Sequence, residues 1–310
     1  MKKNESSSLK PVPEISVILP VYNRIDGVRD AIFSVLNQSF TNFELIIVDD
    51  GSEVDVESQL ALFNDPRLVY IRRPRNGGVA AARNTGIANA KAPYIAFQDS
   101  DDLWLPGKLK AQFALVKKYK TLVIGRVIRV CGKKVIQYCP DKRLTKGYLD
   151  YNTVAAMRSA YVQSWILPAK LLSDAGGFRE SLSVWEDYDL LLRLSKDNRV
   201  IAVGDWMVLS PQGEDSLTKN RALFAHALSD ILTFNKENLI KNKKVWALLN
   251  YTCSRLYLAT GNVGSSRRFM KEAFFSMPFK LSYYKFYIGA LFASQKTQIY
   301  LASMNEDWNG

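Results

Sequence analysis

From residue 15 to residue 97, short apolar runs alternate with segments of helical spacing, and few folds accommodate that pattern. Ile15-Ser-Val-Ile-Leu19 is a β-branched run closed by Pro20; Phe43 to Val48 is a second run, Leu68 to Ile71 a third and Tyr94 to Phe97 a fourth. By length and composition these read as buried strands. Between them lie Val28 to Leu36, with Val28, Ala31, Ile32 and Val35 on one helical face, then Val54 to Phe63, and the Ala-rich Val79 to Ala90 behind Gly77-Gly78. The alternation predicts an α/β, Rossmann-like architecture, a mainly parallel sheet with helices on both faces. In such sheets ligands bind outside the carboxyl ends of the strands. Three of the four strands deliver turn-forming or reactive residues there: Pro20-Val-Tyr22-Asn23, Asp49-Asp50-Gly51 and Asp99-Ser-Asp101-Asp102.

Residues 1–13 are polar, end in Pro11-Val-Pro13 and read as a flexible lead-in; residues 14–220 read as the α/β domain. Its regularity weakens after residue 120. Thr121–Val130 and Lys133–Tyr138 suit strands around a Cys131-Gly132 turn, and Trp185-Glu-Asp187 leads into a helical run, Leu190–Leu194. Residues 221–310 read as helices only. Lys2-Lys3 is followed by Asn-Glu-Ser-Ser-Ser, without the apolar core of a secretory signal. The longest apolar stretch near the C-terminus, Phe286 to Ala293, has eight residues, where a spanning helix needs about 20. The expectation is a cytoplasmic protein, soluble or peripheral on the inner face of the cell membrane.

Composition narrows the chemistry. The 310 residues hold a single His, which excludes a multi-His metal site and leaves any His-dependent triad to His226. Cys131, Cys139 and Cys253 are too few and too scattered for a disulfide framework or a zinc knuckle. Lys and Arg number 42 against 30 Asp and Glu, a net +12. That excess calls for an anionic partner: nucleic acid, a phosphate-bearing ligand or an acidic membrane surface.

Four motifs carry candidate chemistry, and each has a plainer structural reading. Asp99 and Asp101, one residue apart on a turn, can converge on a hard cation such as Mg²⁺ or Mn²⁺, with phosphate oxygens completing the shell; the same acids could cap a helix starting near Pro106. Asp49-Asp50-Gly51-Ser52 can accept hydrogen bonds from a ribose or base edge, or simply turn the chain. Gly77-Gly78 opens a helix whose N–H groups suit an anion, with Arg83 one turn further on in reach of a diphosphate. Glu186-Asp187 can supply a general base for an attacking hydroxyl, or just favour the helix dipole.

The order of these motifs resembles family 2 glycosyltransferases, which have the nucleotide-sugar-binding GT-A fold. The matching segments are Ser16-Val-Ile-Leu-Pro-Val-Tyr-Asn23, Ser34-Val-Leu-Asn-Gln38, Glu44-Leu-Ile-Ile-Val-Asp-Asp-Gly-Ser52, Asn76-Gly-Gly-Val-Ala-Ala-Ala-Arg-Asn-Thr-Gly86 and Ile95-Ala-Phe-Gln-Asp-Ser-Asp-Asp-Leu-Trp104. Gly176-Gly-Phe178 and Trp185-Glu-Asp187 follow in order, so the likeness spans about residues 14–220. It implies that Pro20, Tyr22, Asn23, Asp49, Asp50 and Arg83 hold a nucleotide, commonly a uridine diphosphate. By the same likeness Asp99 meets the ribose or the metal, Asp101 ligates a divalent cation, Mn²⁺ or Mg²⁺, Asp187 is the base, and Glu186 shapes the acceptor site. The family inverts the anomeric centre by single displacement, which asks for no covalent nucleophile. One departure stands out. Similar proteins often carry a His some 20–30 residues after the base, whereas Ser210-Pro-Gln-Gly-Glu-Asp-Ser216 has none. Gln212 is the candidate polar substitute, and His226 reads as a packed helix residue.

The last 91 residues hold 12 Lys and Arg against 5 Asp and Glu, a net +7. Lys244–Thr260 and Ser265–Met277 read as a helical hairpin, followed by the aromatic stretch Leu281–Ala293. These helices either pack on the α/β domain with a solvated basic face, or anchor at an anionic membrane. The implied function is transfer of a hexose or N-acetylhexosamine from a UDP-type donor to a glycan or lipid-linked sugar, in polysaccharide or lipopolysaccharide assembly. The competing readings are a catalytically silent sugar-nucleotide-binding subunit and a basic nucleic-acid-binding protein. Acidic strand ends, which repel phosphate without a metal, speak against nucleic acid.

Overall fold

The structure, a computed structural model, describes residues 12–24, 27–140, 146–157, 161–211 and 220–292. In chain order its elements are β1 (Ile15–Val21), α1 (Val28–Leu36), β2 (Phe43–Asp49), α2 (Val56–Leu60), β3 (Leu68–Arg72), α3 (Val79–Asn89), β4 (Tyr94–Phe97), β5 (Leu103–Trp104) and α4 (Lys108–Tyr119). There follow β6 (Val123–Cys131), β7 (Lys134–Cys139), β8 (Gly147–Leu149), α5 (Tyr151–Met157), a 3₁₀ turn (Val162–Ser164), β9 (Trp165–Pro168), α6 (Ala169–Asp174), α7 (Glu186–Asp197) and β10 (Val200–Pro211). The remainder is helical: α8 (Arg221–Phe234), α9 (Lys236–Leu239), α10 (Lys243–Ala259), α11 (Val263–Ser276) and α12 (Leu281–Phe292).

The strands join one sheet in the order β3-β2-β1-β4-β9-β6-β10-β5, with β7 on β6 and β8 on β10. β1 lies parallel to both β2 and β4, with Ile15 opposite Phe43 and Tyr94. β6 and β10 are parallel, while β9 runs antiparallel to β4 and to β6. Every residue of β1 and β2 is buried, as expected for strands covered on both faces. Alternate side chains serve opposite layers. Val17, Leu19, Leu45 and Ile47 pack with Val28, Ile32 and Leu109 of α1 and α4; Ile18, Ile46 and Val48 pack with Ala80, Leu172 and Leu190 of α3, α6 and α7. Gly86 lets α3 approach β1, because a Cβ there would lie 2.4 Å from Cγ2 of Ile18.

Several boundaries differ from those read in the sequence. α2 is shorter than Val54–Phe63, since Asp55 caps it by accepting from the Ser58 N–H at 3.1 Å. The acidic turn does not cap α4: the short strand β5 intervenes, and the cap is Gly107, at φ 83°. Strands β8, β9 and β10 and helices α5 and α6 occupy stretches where the apolar pattern is irregular. None of the three cysteines is in a disulfide, and Cys139 and Cys253 are buried.

The helices beyond residue 220 share a core with the α/β layer. Leu182, Val184, Tyr188 and Leu192, around α7, cluster with Ala225, Leu228 and Ile231 of α8 and with Trp246, Leu249 and Cys253 of α10. α10 and α11 form the expected hairpin around Gly261 and Asn262, with the Asn262 side chain capping α11.

Candidate active site

The strand order turns back at β1, which has β2 on one side and β4 on the other, so a crevice opens at the carboxyl ends of β1 and β4. Pro20 is buried within β1, whereas Tyr22, just past its end, is 45% exposed at the crevice. Asn23 has a left-handed backbone, φ 48°. Its N–H donates to Ser52 Oγ at 2.9 Å, and its Oδ1 accepts from the Glu53 N–H at 2.7 Å, tying the β1 and β2 loops together.

The Asp49-Asp50 pair splits in role. Asp49 is fully buried; its Oδ1 accepts from the Ser52 N–H at 2.8 Å and its Oδ2 from the Tyr70 hydroxyl at 2.7 Å. Burial, with Asp49 alongside, pushes the Tyr70 phenol up to about 12, so it remains a donor. Asp50 is also buried, pairs with Arg73 and accepts from the Gly78 N–H at 2.8 Å and the Gly77 N–H at 3.2 Å. The anion site expected at the start of α3 is therefore filled by the protein's own carboxylate, which the helix terminus favours in the same way. Gly51 between these loops has φ 73°, and a Cβ there would lie 2.7 Å from the Arg75 carbonyl carbon. Gly51→Ala should cost about 1–3 kcal/mol in backbone strain alone. A melting temperature equal to the parent's would contradict that packing.

Arg83 joins the two halves of the site. Its guanidinium, on a residue only 3% exposed, donates to Asp99 Oδ1 at 2.7 Å and to Glu186 Oε1 at 2.5 Å, and it lies 5.4 Å from the Phe178 ring centre. Burial works against the charge, but Asp99 and Glu186 outweigh it and hold the group above its ordinary pKa. The cation thus faces two protein carboxylates rather than an open crevice.

Glu186 and Asp187 begin α7. The residue before them, Trp185, is left-handed at φ 59° and packs edge-on against Phe224 of α8. A bulky residue in that conformation is strained, and it stands immediately before the acidic pair at the start of α7. Burial and the charge of Glu186 push Asp187 up to about 7, against the opposing pull of Arg83 and the Tyr188 N–H, which donates to Asp187 Oδ1 at 2.7 Å. A carboxylate poised there suits a general base near neutral pH. Asp189, two residues further on, is fully buried; it pairs with Arg193 at 2.9 Å and accepts from Asn235 Nδ2 at 3.1 Å, locking α7 to the end of α8.

At the end of β4 the acidic turn is closed by the Asp102 N–H donating to the Asp99 carbonyl at 3.2 Å. Asp102, assigned no role from sequence, is buried, and Gln163 Nε2 donates to its Oδ2 at 2.5 Å. Burial, then the charges of Asp99 and Asp101, push its pKa well above the usual carboxylate range. Asp102 and Gln163 anchor the turn, leaving Asp99 half-buried and Asp101 exposed with Arg24 at 2.6 Å. Among the described residues no three His, Cys, Asp or Glu gather as a metal site. Two hard carboxylate donors on one turn fit Mn²⁺ or Mg²⁺ only when a diphosphate and water complete the shell. His226 sits exposed on α8, its Nδ1 2.8 Å from the Ala222 carbonyl oxygen and its ring edge-on to Tyr257, so it is a surface helix residue rather than a packed one. Gln212 lies outside the described residues.

The family profile of glycosyl transferase family 2 matches residues 16–162. An uncharacterised glycosyltransferase of Rickettsia typhi is 32% identical over 232 residues, which cover 72% of this chain and 70% of that one. The chain belongs to glycosyl transferase family 2. It is also similar to an Escherichia coli protein named UDP-Glc:alpha-D-GlcNAc-diphosphoundecaprenol beta-1,3-glucosyltransferase WfgD, 28% identical over 76% of this chain and 91% of that one. The crystal structure of S. aureus TarS 1–349 in complex with UDP-GlcNAc superposes with a TM-score of 0.62 at 20% identity, over 90% of this chain and 79% of that chain. At that identity the likeness establishes the fold, GT-A. Against four other Rickettsia relatives the chain spans only 29% to 57% of their length.

Proposed function

We propose that this family 2 protein is an inverting glycosyltransferase that moves a hexose or N-acetylhexosamine from a UDP-linked donor to a hydroxyl of a glycan or lipid-linked sugar in cell-surface polysaccharide assembly. The observation that carries the proposal is the Asp99–Arg83–Glu186 bridge. It fixes the acidic turn of β4 and the base-bearing end of α7 in one rigid unit, with a donor carboxylate on one side and Asp187 on the other. The name of the E. coli relative and the ligand of the TarS crystal support a UDP-sugar donor, and the former supports a lipid-linked acceptor.

In this reading Tyr22 and Asn23 line the nucleotide edge behind Pro20, Asp49 and Asp50 hold the loop on which the base rests, and Arg83 keeps Asp99 aimed at the ribose or the cation. Asp101, with Asp99, would hold Mn²⁺ or Mg²⁺, which supplies charge neutralisation for the leaving diphosphate. The exposed Arg24–Asp101 pair is cheap to exchange for such a ligand. Asp187 takes the proton from the acceptor hydroxyl while the hydroxyl oxygen bonds to the anomeric carbon and the bond from that carbon to the nucleotide diphosphate breaks. One displacement inverts the centre, and Glu186, held by Arg83, sits beside the acceptor.

The test is a thermal-shift screen of nucleotide sugars with and without Mn²⁺. A ligand at about 100 times its Kd stabilises the folded state by about 2.7 kcal/mol. UDP-sugar and Mn²⁺ together should raise the melting temperature by several degrees, neither should alone, and Asp101→Ala should abolish the joint effect. An equal shift in Asp101→Ala would remove that residue from the cation site.

A further inference from the structure

The end of α11, the turn after it and the start of α12 carry apolar side chains that remain exposed. Phe275 is 64% exposed, Phe279 fully exposed and Leu281 62% exposed. Phe275 also borders a groove of about 290 Å³ that is lined by Ile240 and Trp246 and flanked by Lys243 and Lys271, with Glu272 the only acid there. The segment that forms this groove and turn is one-sided in charge: residues 236–284 contain nine Lys and Arg and two Glu. Of these, Lys236, Lys241, Lys243, Lys244, Lys271 and Lys280 are exposed.

Apolar side chains beside exposed lysines are the composition of a surface that lies in a lipid interface. No described helix is long and apolar enough to cross a membrane. A symmetric contact with a second copy would bring the two lysine sets together, and like charges oppose such a pairing. A nucleic-acid duplex would use the lysines and leave Phe275, Phe279 and Leu281 in water, and a single strand could stack bases on the phenylalanines but has no use for Leu281 and Ile240. We infer that this face docks on an anionic bilayer, with one lipid phosphate in the groove between Lys243 and Lys271 and with Phe275 and Phe279 among the headgroups and upper acyl chains. The inference goes beyond the transfer reading and does not rest on it; a lipid-linked acceptor gives the docking its use.

The experiment is co-sedimentation of the full chain with vesicles of phosphatidylcholine alone or mixed with phosphatidylglycerol, at low and high salt. Binding is expected only to the mixed vesicles and should weaken with salt. Each lysine near an anionic surface contributes about 1 kcal/mol, a factor of about five, so Lys243→Gln with Lys271→Gln should lower partitioning by roughly 30-fold. Phe275→Ser with Phe279→Ser should lower it at least as much. All four side chains are exposed or border the groove, and a melting temperature and circular dichroism spectrum equal to the parent's check that each variant is folded. Three outcomes would overturn the inference: no binding to mixed vesicles, equal binding to phosphatidylcholine alone, or retention by both double variants. A concentration-dependent dimer abolished by the phenylalanine substitutions would also overturn it, by assigning the face to a second copy. Because the readout is vesicle binding, a failure here leaves the transfer reading untouched, and a failed transfer assay leaves this one standing.

Discussion

Asp187→Asn is expected to bind the donor as the parent does and to transfer sugar about 10²–10⁴-fold more slowly, the usual contribution of a positioned base. The substitution is nearly isosteric, and the amide oxygen can still accept the Tyr188 N–H that Asp187 Oδ1 now accepts at 2.7 Å. Burial and Glu186 already work against a charge at this position, so a neutral side chain costs the fold little and the melting temperature should hold or rise. Activity has its own pH signature. A base that titrates at about 7 is mostly protonated below that pH and idle, so kcat/KM of the parent should climb about tenfold per pH unit on the acid side and level off above it. The same limb should be missing from whatever activity Asp187→Asn retains. Substantial transfer by the variant, with the limb intact, would move the base to another group.

The second large effect is on stability. Arg83→Met would leave Asp99 and Glu186 without the guanidinium that now bonds to them at 2.7 and 2.5 Å. Stranding a buried carboxylate, here Glu186, by deleting its partner costs about 3–5 kcal/mol, which for a chain of this size corresponds to a fall in melting temperature on the order of 10 °C. Donor binding and transfer should fall as well, because Asp99 loses the group that aims it. The diagnostic is a rescue: adding Glu186→Leu to Arg83→Met removes one stranded charge and should restore part of the lost stability. A double variant no more stable than the single would mean that the bridge is not the source of the loss.

These two residues also mark the limit of what the sequence makes legible. β1 to β4 could be read because strands buried on both faces are continuous apolar runs, such as Phe43–Asp49, bounded by turn residues. β10 could not, since it runs twelve residues with register shifts between Ala202 and Val208 that break any simple alternation. The acidic turn and the Glu186-Asp187 pair stood out as motifs, yet what each side chain does depends on partners far away in sequence. Arg83 reads from sequence as a diphosphate contact, and its bond to Glu186, 103 residues away, follows no local pattern. Asp50 reads as a ribose contact, and its bonds to Arg73 and to the glycines that open α3 could not be foreseen from the motif alone. Asp102 and Gln163 gave no sequence signal, because a buried acid held by an amide 61 residues later follows no local pattern.

The core that α7 shares with α8 and α10 bears on how such a chain can diversify. The helix that presents Asp187 packs its other side on Leu228, Ile231 and Trp246, so the helical region is the back wall of the candidate site as well as a surface. A chimaera that grafts a relative's C-terminal helices onto residues 1–220 would inherit mismatched packing behind Trp185 and Tyr188. New acceptor preferences would have to arise in both parts together, by paired substitutions across that wall, rather than by exchange of modules.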